Sequence, residues 1–229
     1  MHLKILNIVK RKKIFYSHAV FLVSWHLFDK HVFQGMEEYE LVEKCRQGNN
    51  LARKELYERY GGRLFAICLR YVNDRETAQD VLHDGFIKIY GSFDKFTWRG
   101  EGSLRAWIER IMVNTALQHL RKNDVMSLAV NIDDVNESFD AEEPDVEDVE
   151  RIPNTVLMRF ISELPEGYRT VFNLYTFEEK SHKEIAQLLS INEKSSASQL
   201  FRAKQSLAKK IKLYLENNTK KYINMHCNC

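Results

Sequence analysis

"SHKEIAQLLSINEKSSASQLFRAKQSL", Ser181 to Leu207, carries two short apolar sets on either side of a polar break. Ile185, Leu188 and Leu189 form the first, and Leu200 and Leu207 form the second, which continues to Ile211. Spacings of three, four and seven residues give each set one buried stripe on a helix. The pattern predicts two helices joined by a tight turn, a helix-turn-helix. Small hydroxyl residues interrupt the second set, and a solvent-facing helix gains little from serine. In a helix-turn-helix the second helix enters the DNA major groove with its first turns toward the bases, where small hydroxyl groups permit close approach and hydrogen bonding. On this reading Ser195, Ser196, Ser198 and Gln199 read or position, and Lys194 and Arg202 contact phosphates or guanines. An ordinary helical pair is the competing reading.

The rest of the chain extends the helical pattern. Its 229 residues, 44% hydrophobic and 29% charged, can bury a core in one large or two small domains. With only nine Gly and three Pro, and with apolar residues recurring at helical spacing throughout, the expected fold is all-α. Cys45 and Cys68 fall on apolar helical faces, and Cys227 and Cys229 on a terminal tail, so no disulfide framework is expected and a cytoplasmic location is favoured. The ending His226-Cys227-Asn228-Cys229 has no matching second half, which argues against a metal site.

Charge divides the chain. Segments 1–35, 36–122, 123–154 and 155–229 carry net charges of +5, +2, −10 and +5. Segment 123–154 holds eleven acidic residues against one basic residue and few apolar anchors, the composition of a flexible, self-repelling linker. Two helical domains, 36–122 and 155–216, are therefore expected to flank it, with a tail at 217–229. In segment 1–35, "KRKK" at Lys10 to Lys13 precedes an uncharged run from Ile14 to Phe28 that is too short to span a membrane and has no small-residue cleavage site. Two readings stand: an upstream extension ahead of a working start at Met36, or a peripheral, partner-binding segment.

The first domain holds its own candidates. Asp74 is expected to cap a helix over "RETAQDVLHDGFIKIYGSF" in which Ala78, Val81, Leu82, Phe86 and Ile89 face inward. Asp80 and Asp84 then share an outward ridge expected to lack an i,i+4 ion pair, either a solvated acidic face or a docking ridge for a basic partner. The loop "DKFTWRGEGS" places Phe96 and Trp98 beside Lys95 and Arg99. Such aromatics either fold back onto a core or stack on single-stranded bases. Ser103 is expected to cap the next helix, which buries Leu104, Trp107, Ile108 and Ile111 and presents Arg105, Arg110, Asn114, Gln118 and Arg121, a set suited to phosphates and base edges.

Four stretches, "AQDVLHDGFIKIY", "TWRGEGSLRAWIERIMVNTALQHLRK", "LPEGYRTVFNLY" and "SHKEIAQLLSI", stand in an order and spacing that resembles the extracytoplasmic-function (ECF) group of the sigma-70 family, over about 180 positions from Glu38 to Glu216. The resemblance implies two helical domains: region 2 over 36–122, which binds RNA polymerase core and opens the −10 promoter element, and region 4 over 155–216, which reads the −35 element. It implies promoter DNA and core as partners, an anti-sigma factor as a further one, and no catalytic residue, cofactor or small-molecule substrate. By motif, Asp80, His83 and Asp84 fall on the core-docking helix, and Phe93 to Gly102 on the loop that captures a flipped base. Leu104 to Arg121 falls on the −10 helix and Lys194 to Arg202 on the −35 reader. This chain departs from the family pattern at His83, where glutamine is usual. It departs also at Gln118 and His119, at Ser190 in place of a turn glycine, and at Ala197 in place of a basic residue. A helix-turn-helix regulator that binds duplex DNA without polymerase is the alternative; it would need neither the acidic ridge nor the aromatic loop.

Overall fold

The structure, a computed structural model, describes residues 36–122, 149–150 and 152–226, with side chains through Asn218. Segment 1–35, most of the expected linker and the terminal cysteines lie outside the described residues. Eight α-helices and no strand occur among the described residues, in two units.

In the first unit, α1 (Glu38–Arg46) places Glu38 and Glu40 in its first turn and Lys44 and Arg46 in its last, matching the helix dipole. Gly48, at φ 76, reverses the chain. Asn49 then caps α2 (Asn50–Val72) by accepting from the N–H groups of Leu51 and Ala52 at 2.9 and 3.1 Å. Asn73 ends α2 in the left-handed region, and Asp74 accepts from the Thr77 N–H at 2.8 Å to open α3 (Arg75–Tyr90), as the sequence predicts. A 3₁₀ turn (Phe93–Lys95) and a loop lead to α4 (Ser103–Lys122). Helices α2, α3 and α4 pack pairwise around Leu56, Leu64, Tyr71, Ile89, Ile108 and Met112. At Gly85 the Met112 side chain of α4 fills the space a Cβ would take, with Sδ 2.5 Å from that position. Cys45 and Cys68 are buried in this core, which pushes their thiols up to about 11 and about 12.

The second unit is a four-helix domain: α5 (Asn154–Ser162), α6 (Glu166–Thr176), α7 (His182–Leu189) and α8 (Glu193–His226). Its folded part starts earlier than the expected boundary at 154, because Val149 and Ile152 are already buried. It also ends later, since α8 continues through the segment expected to be a tail, as far as His226. Buried Arg169 donates to the carbonyls of Ser162 and Leu164 at 3.1 and 3.0 Å, closing the C-terminal end of α5. Ser181 and Glu184 form a capping box on α7. Ser190 turns the chain at φ 55, and Asn192 caps α8 by accepting from the Ser195 N–H at 2.6 Å.

A left-handed turn at a residue with a Cβ costs about 1–2 kcal/mol, partly offset in glycine by its greater unfolded-state entropy. Ser190→Gly is therefore expected to stabilise the second unit by about 1 kcal/mol, read as a higher denaturant midpoint with an unchanged slope. A lower midpoint would mean that the Ser190 side chain compensates for the strain.

Candidate nucleic-acid interface

The aromatic loop is fastened to α1 from three directions. Arg46 donates to the carbonyls of Phe93 and Phe96 at 3.4 and 2.9 Å. The Glu38 carboxylate accepts from the N–H groups of Gly102 and Leu104, each at 3.2 Å. Tyr39 meets the Trp98 ring edge-on at 5.8 Å. Glu38 thus takes the capping role expected of Ser103, whose hydroxyl instead accepts from the Arg99 N–H within the loop at 3.3 Å. Gly100 and Gly102 have φ of 106 and 79, which a residue with a Cβ rarely adopts, so they shape the loop.

The two loop aromatics differ. Phe96 is 5% exposed and packs on Trp107 at 4.9 Å, beside Phe93 on the same ring at 5.3 Å. This corrects its place among the base-contacting candidates: Phe96 anchors the loop to the core. Trp98 is half-buried, and Lys95 and Arg99 are exposed. Phe96→Ala is expected to cost about 3–5 kcal/mol of first-unit stability, whereas Trp98→Ala should leave thermal unfolding near the wild-type midpoint. Equal losses would show that Trp98 is an anchor as well.

On α3, Asp80, His83, Asp84 and Ile87 succeed one another at i, i+3, i+4 and i+7 and are all exposed. Lys88 stands four residues after Asp84, where the i,i+4 ion pair would form, a position the expectation of an unpaired ridge overlooked. Its ammonium turns instead to α4, donating to Gln118 Oε1 at 2.8 Å and Thr115 Oγ1 at 3.3 Å. Neither aspartate has an ion pair among the described residues. Ile87, 58% exposed, adds an apolar member to the ridge.

The α4 candidates separate. Arg110, Asn114, Gln118 and Arg121 follow at i, i+4, i+8 and i+11 on one exposed ridge. Arg105, five residues before Arg110, points about 140° away around the helix. There it approaches Glu109 at 3.9 Å, and Glu109 also pairs with Arg63 of α2.

In the second unit, Ser196 is fully buried, and its Oγ lies 3.0 Å from His182 Nδ1. The expectation that Ser196 reads bases is corrected: it ties the two helices of the helix-turn-helix together from inside. The His182 ring stacks on Tyr175 at 5.0 Å. Lys194, Ser198, Phe201 and Gln205 form the stripe opposite Ser196, and Ser195, Gln199 and Arg202 run along a flank beside the start of α6. There Gln199 Oε1 would come within 3.1 Å of a Cβ on Gly167, and Arg202 Nη1 lies 3.3 Å from Tyr168 Oη. Sequence reading missed Phe201, 46% exposed between two candidates. Its spacing from Lys194 and Ser198 was the available signal, but an aromatic on this helix reads as core by type.

Burial lowers the His182 pKa below its ordinary 6.5, Glu193 opposing and Lys204 reinforcing the shift. The unfolded chain therefore binds more protons than the folded one between the two values. Stability of the second unit is full above 6.5 and falls as pH drops through that window. His182→Gln should flatten the pH dependence of its unfolding midpoint between about pH 7 and pH 5; an unaltered slope would place the titration elsewhere.

Among the described residues no group of three or more His, Cys, Asp or Glu is placed to hold a metal ion, and no helix is long and apolar enough to cross a membrane. Comparison with known proteins agrees with the two-unit architecture. The family model for Sigma-70 region 2 matches residues 56–125, and that for Sigma-70, region 4 matches residues 155–207. The RNA polymerase sigma-H factor of Pseudomonas aeruginosa is 30% identical over 182 residues, covering 76% of this chain and 93% of that protein. The ECF RNA polymerase sigma-E factor of Haemophilus influenzae is 30% identical over 184 residues, covering 77% and 96%, and that of Escherichia coli K12 is 27% identical over 179, covering 75% and 92%. Among solved structures, CnrH in complex with the cytosolic domain of CnrY aligns with a TM-score of 0.40 at 21% identity, covering 74% of this chain and 93% of that one. With both regions present in order and relatives matched along nearly their whole length, this chain belongs to the sigma-70 family of RNA polymerase sigma factors, in its ECF group.

Proposed function

We propose that this sigma factor divides its work between the two units along the faces described above. Region 2, residues 36–122, docks on the polymerase core through the α3 ridge of Asp80, His83 and Asp84, with Ile87 as its apolar contact. The loop carrying Lys95, Trp98 and Arg99 holds a base extruded from the −10 element, with Phe96 as the buried anchor beneath it. The α4 ridge of Arg110, Asn114 and Gln118 meets the −10 DNA, while Arg105, about 140° away and turned toward Glu109, stays off that surface. Region 4, residues 155–216, reads the −35 element with Lys194 and Ser198 on the outward stripe of α8. Ser195, Gln199 and Arg202 act from the flank next to α6.

The observation that carries this reading is the presence of two exposed ridges of different chemistry within one small unit: an acidic ridge on α3 without ion pairs among the described residues, and a basic and amide ridge on α4. A regulator that only reads duplex DNA has no use for the first. Docked acidic groups are desolvated against a basic partner and are costly to lose. A protein that acts on promoters in this way works in the cytoplasm and needs no catalytic residue of its own. An anti-sigma factor as a further partner rests on membership of the ECF group.

Purified core mixed with this protein should give promoter-specific transcripts, and duplex binding without core-dependent transcripts would favour the regulator. The double variant Asp80→Ala, Asp84→Ala should keep its helical spectrum and lose core association by about tenfold or more; unchanged co-purification with core would remove the ridge from the interface. In holoenzyme, Trp98→Ala should retain core binding and −35 protection but lose permanganate-reactive thymines at the −10 element. Full reactivity would remove the base-capture role.

A further inference from the structure

Lys88 lies on α3, outside every motif assigned to DNA, yet its ammonium bridges to α4. An ammonium has donors only, so the atoms it meets must be acceptors. On α4 they form a directed chain. The Thr115 hydroxyl donates its proton to the Ile111 carbonyl at 2.9 Å, which leaves an oxygen lone pair for Lys88 at 3.3 Å. Lys88 then donates to Gln118 Oε1 at 2.8 Å. Thr115 is 4% exposed, so this end of the chain is fixed in the core, whereas Gln118 is exposed at the other end.

The consequence concerns the Gln118 amide. A free glutamine can turn either end outward and can bind adenine with both, accepting from N6 and donating to N7. With Oε1 held by Lys88, the group that remains outward is the Nε2 amide nitrogen, whose N–H groups only donate. We propose that Lys88 is a specificity-determining residue for promoter recognition: it holds Gln118 as a hydrogen-bond donor, so that this position on the α4 ridge selects base edges that offer acceptors, guanine O6 and N7 or thymine O4, with adenine N7 as a single acceptor beside a donor. Cytosine, which presents an N4 donor in the major groove, is rejected, and adenine is reduced to its N7 contact because Oε1 is turned toward Lys88. The inference rests on Gln118 facing the −10 DNA.

The test is selection of active promoters from a library randomised through the −10 element and its upstream flank, using holoenzyme reconstituted with each variant. Gln118→Ala identifies the position, as the one at which base preference relaxes. At that position wild type should favour guanine or thymine over cytosine by about tenfold, the scale of one good base contact. Lys88→Met frees the amide and should shift preference there toward adenine, while leaving the other positions alone; Lys88→Arg, which keeps donors toward Gln118, should retain the wild-type choice. Two results overturn the proposal while leaving Gln118 at the DNA: Lys88→Met with wild-type preference, or Lys88→Met that weakens all sequences alike, as loss of a phosphate contact does. If Gln118→Ala relaxes no position, the placement of Gln118 fails and the proposal with it. Thermal unfolding of each variant separates these outcomes from loss of fold, which the exposure of Lys88 argues against.

Discussion

The Glu38 carboxylate binds two backbone N–H groups 64 and 66 residues further along the chain, and the geometry of the aromatic loop and of the start of α4 depends on it. The first N–H groups of any helix lack partners within it, and a carboxylate beside them satisfies both the hydrogen bonds and the dipole. Here that carboxylate comes from the first turn of α1, so the start of α4 is registered against α1. The last turn of the same helix supplies Arg46, which binds the other end of the loop through two carbonyls. A nine-residue helix thereby fixes both ends of a loop that has no regular structure of its own beyond one 3₁₀ turn. Removing either charged group would leave polar backbone unpaired as well as cutting a tether.

Helices α3, α4 and α8 each have one buried face and one exposed face, and the two faces differ in how their polar groups are met. On the core side several polar groups have partners: Ser196 pairs with His182, Arg169 donates to two carbonyls, and Thr115 donates to the Ile111 carbonyl. On the α3 ridge the acidic groups have no ion pair among the described residues. Lys88 is the one cation placed to neutralise Asp84 locally, and its commitment to α4 leaves that charge available. A single lysine thus leaves the acidic ridge without its local counter-ion and binds an amide on the neighbouring α4 ridge.

Much of this was legible in the sequence, and the misses share a physical reason. Helix positions, the Asp74 cap, the helix-turn-helix and the inward set of α3 follow from periodicity and capping chemistry, which are local. Ser196 was misread by residue type, although its spacing of four, seven and eleven from Leu200, Ala203 and Leu207 places it on the buried stripe; serine can sit inside when a partner such as His182 satisfies its hydroxyl. Phe96 and Trp98 are two residues apart in an irregular loop, where no periodicity says which one turns inward. Glu38 and Arg46 had local roles as dipole-matching charges, and nothing in the chain nearby announces carbonyls or N–H groups some fifty or more residues away. The Lys88 link was missed for the converse reason: a local partner was available, and a tertiary one won.

Trp98 shows how a residue can be held and still be available. Its edge contact with Tyr39 is of the kind worth about 0.5–1.5 kcal/mol beyond burial, and Tyr39 itself is 55% exposed. A base stacked on an aromatic ring returns about 1–3 kcal/mol. Exchange of one contact for the other is therefore close to balanced or favourable. Phe96, packed on Trp107 inside the unit, has no such exchange open to it, because leaving the core would forfeit its whole buried surface. The loop thus combines an anchor that cannot leave with a neighbour that can, and the Glu38 and Arg46 tethers limit how far the backbone must move when it does. Placing the weakly held ring between two firmly held backbone ends would let the proposed base capture proceed through a side-chain rearrangement, without unfolding of the unit that carries the α3 ridge.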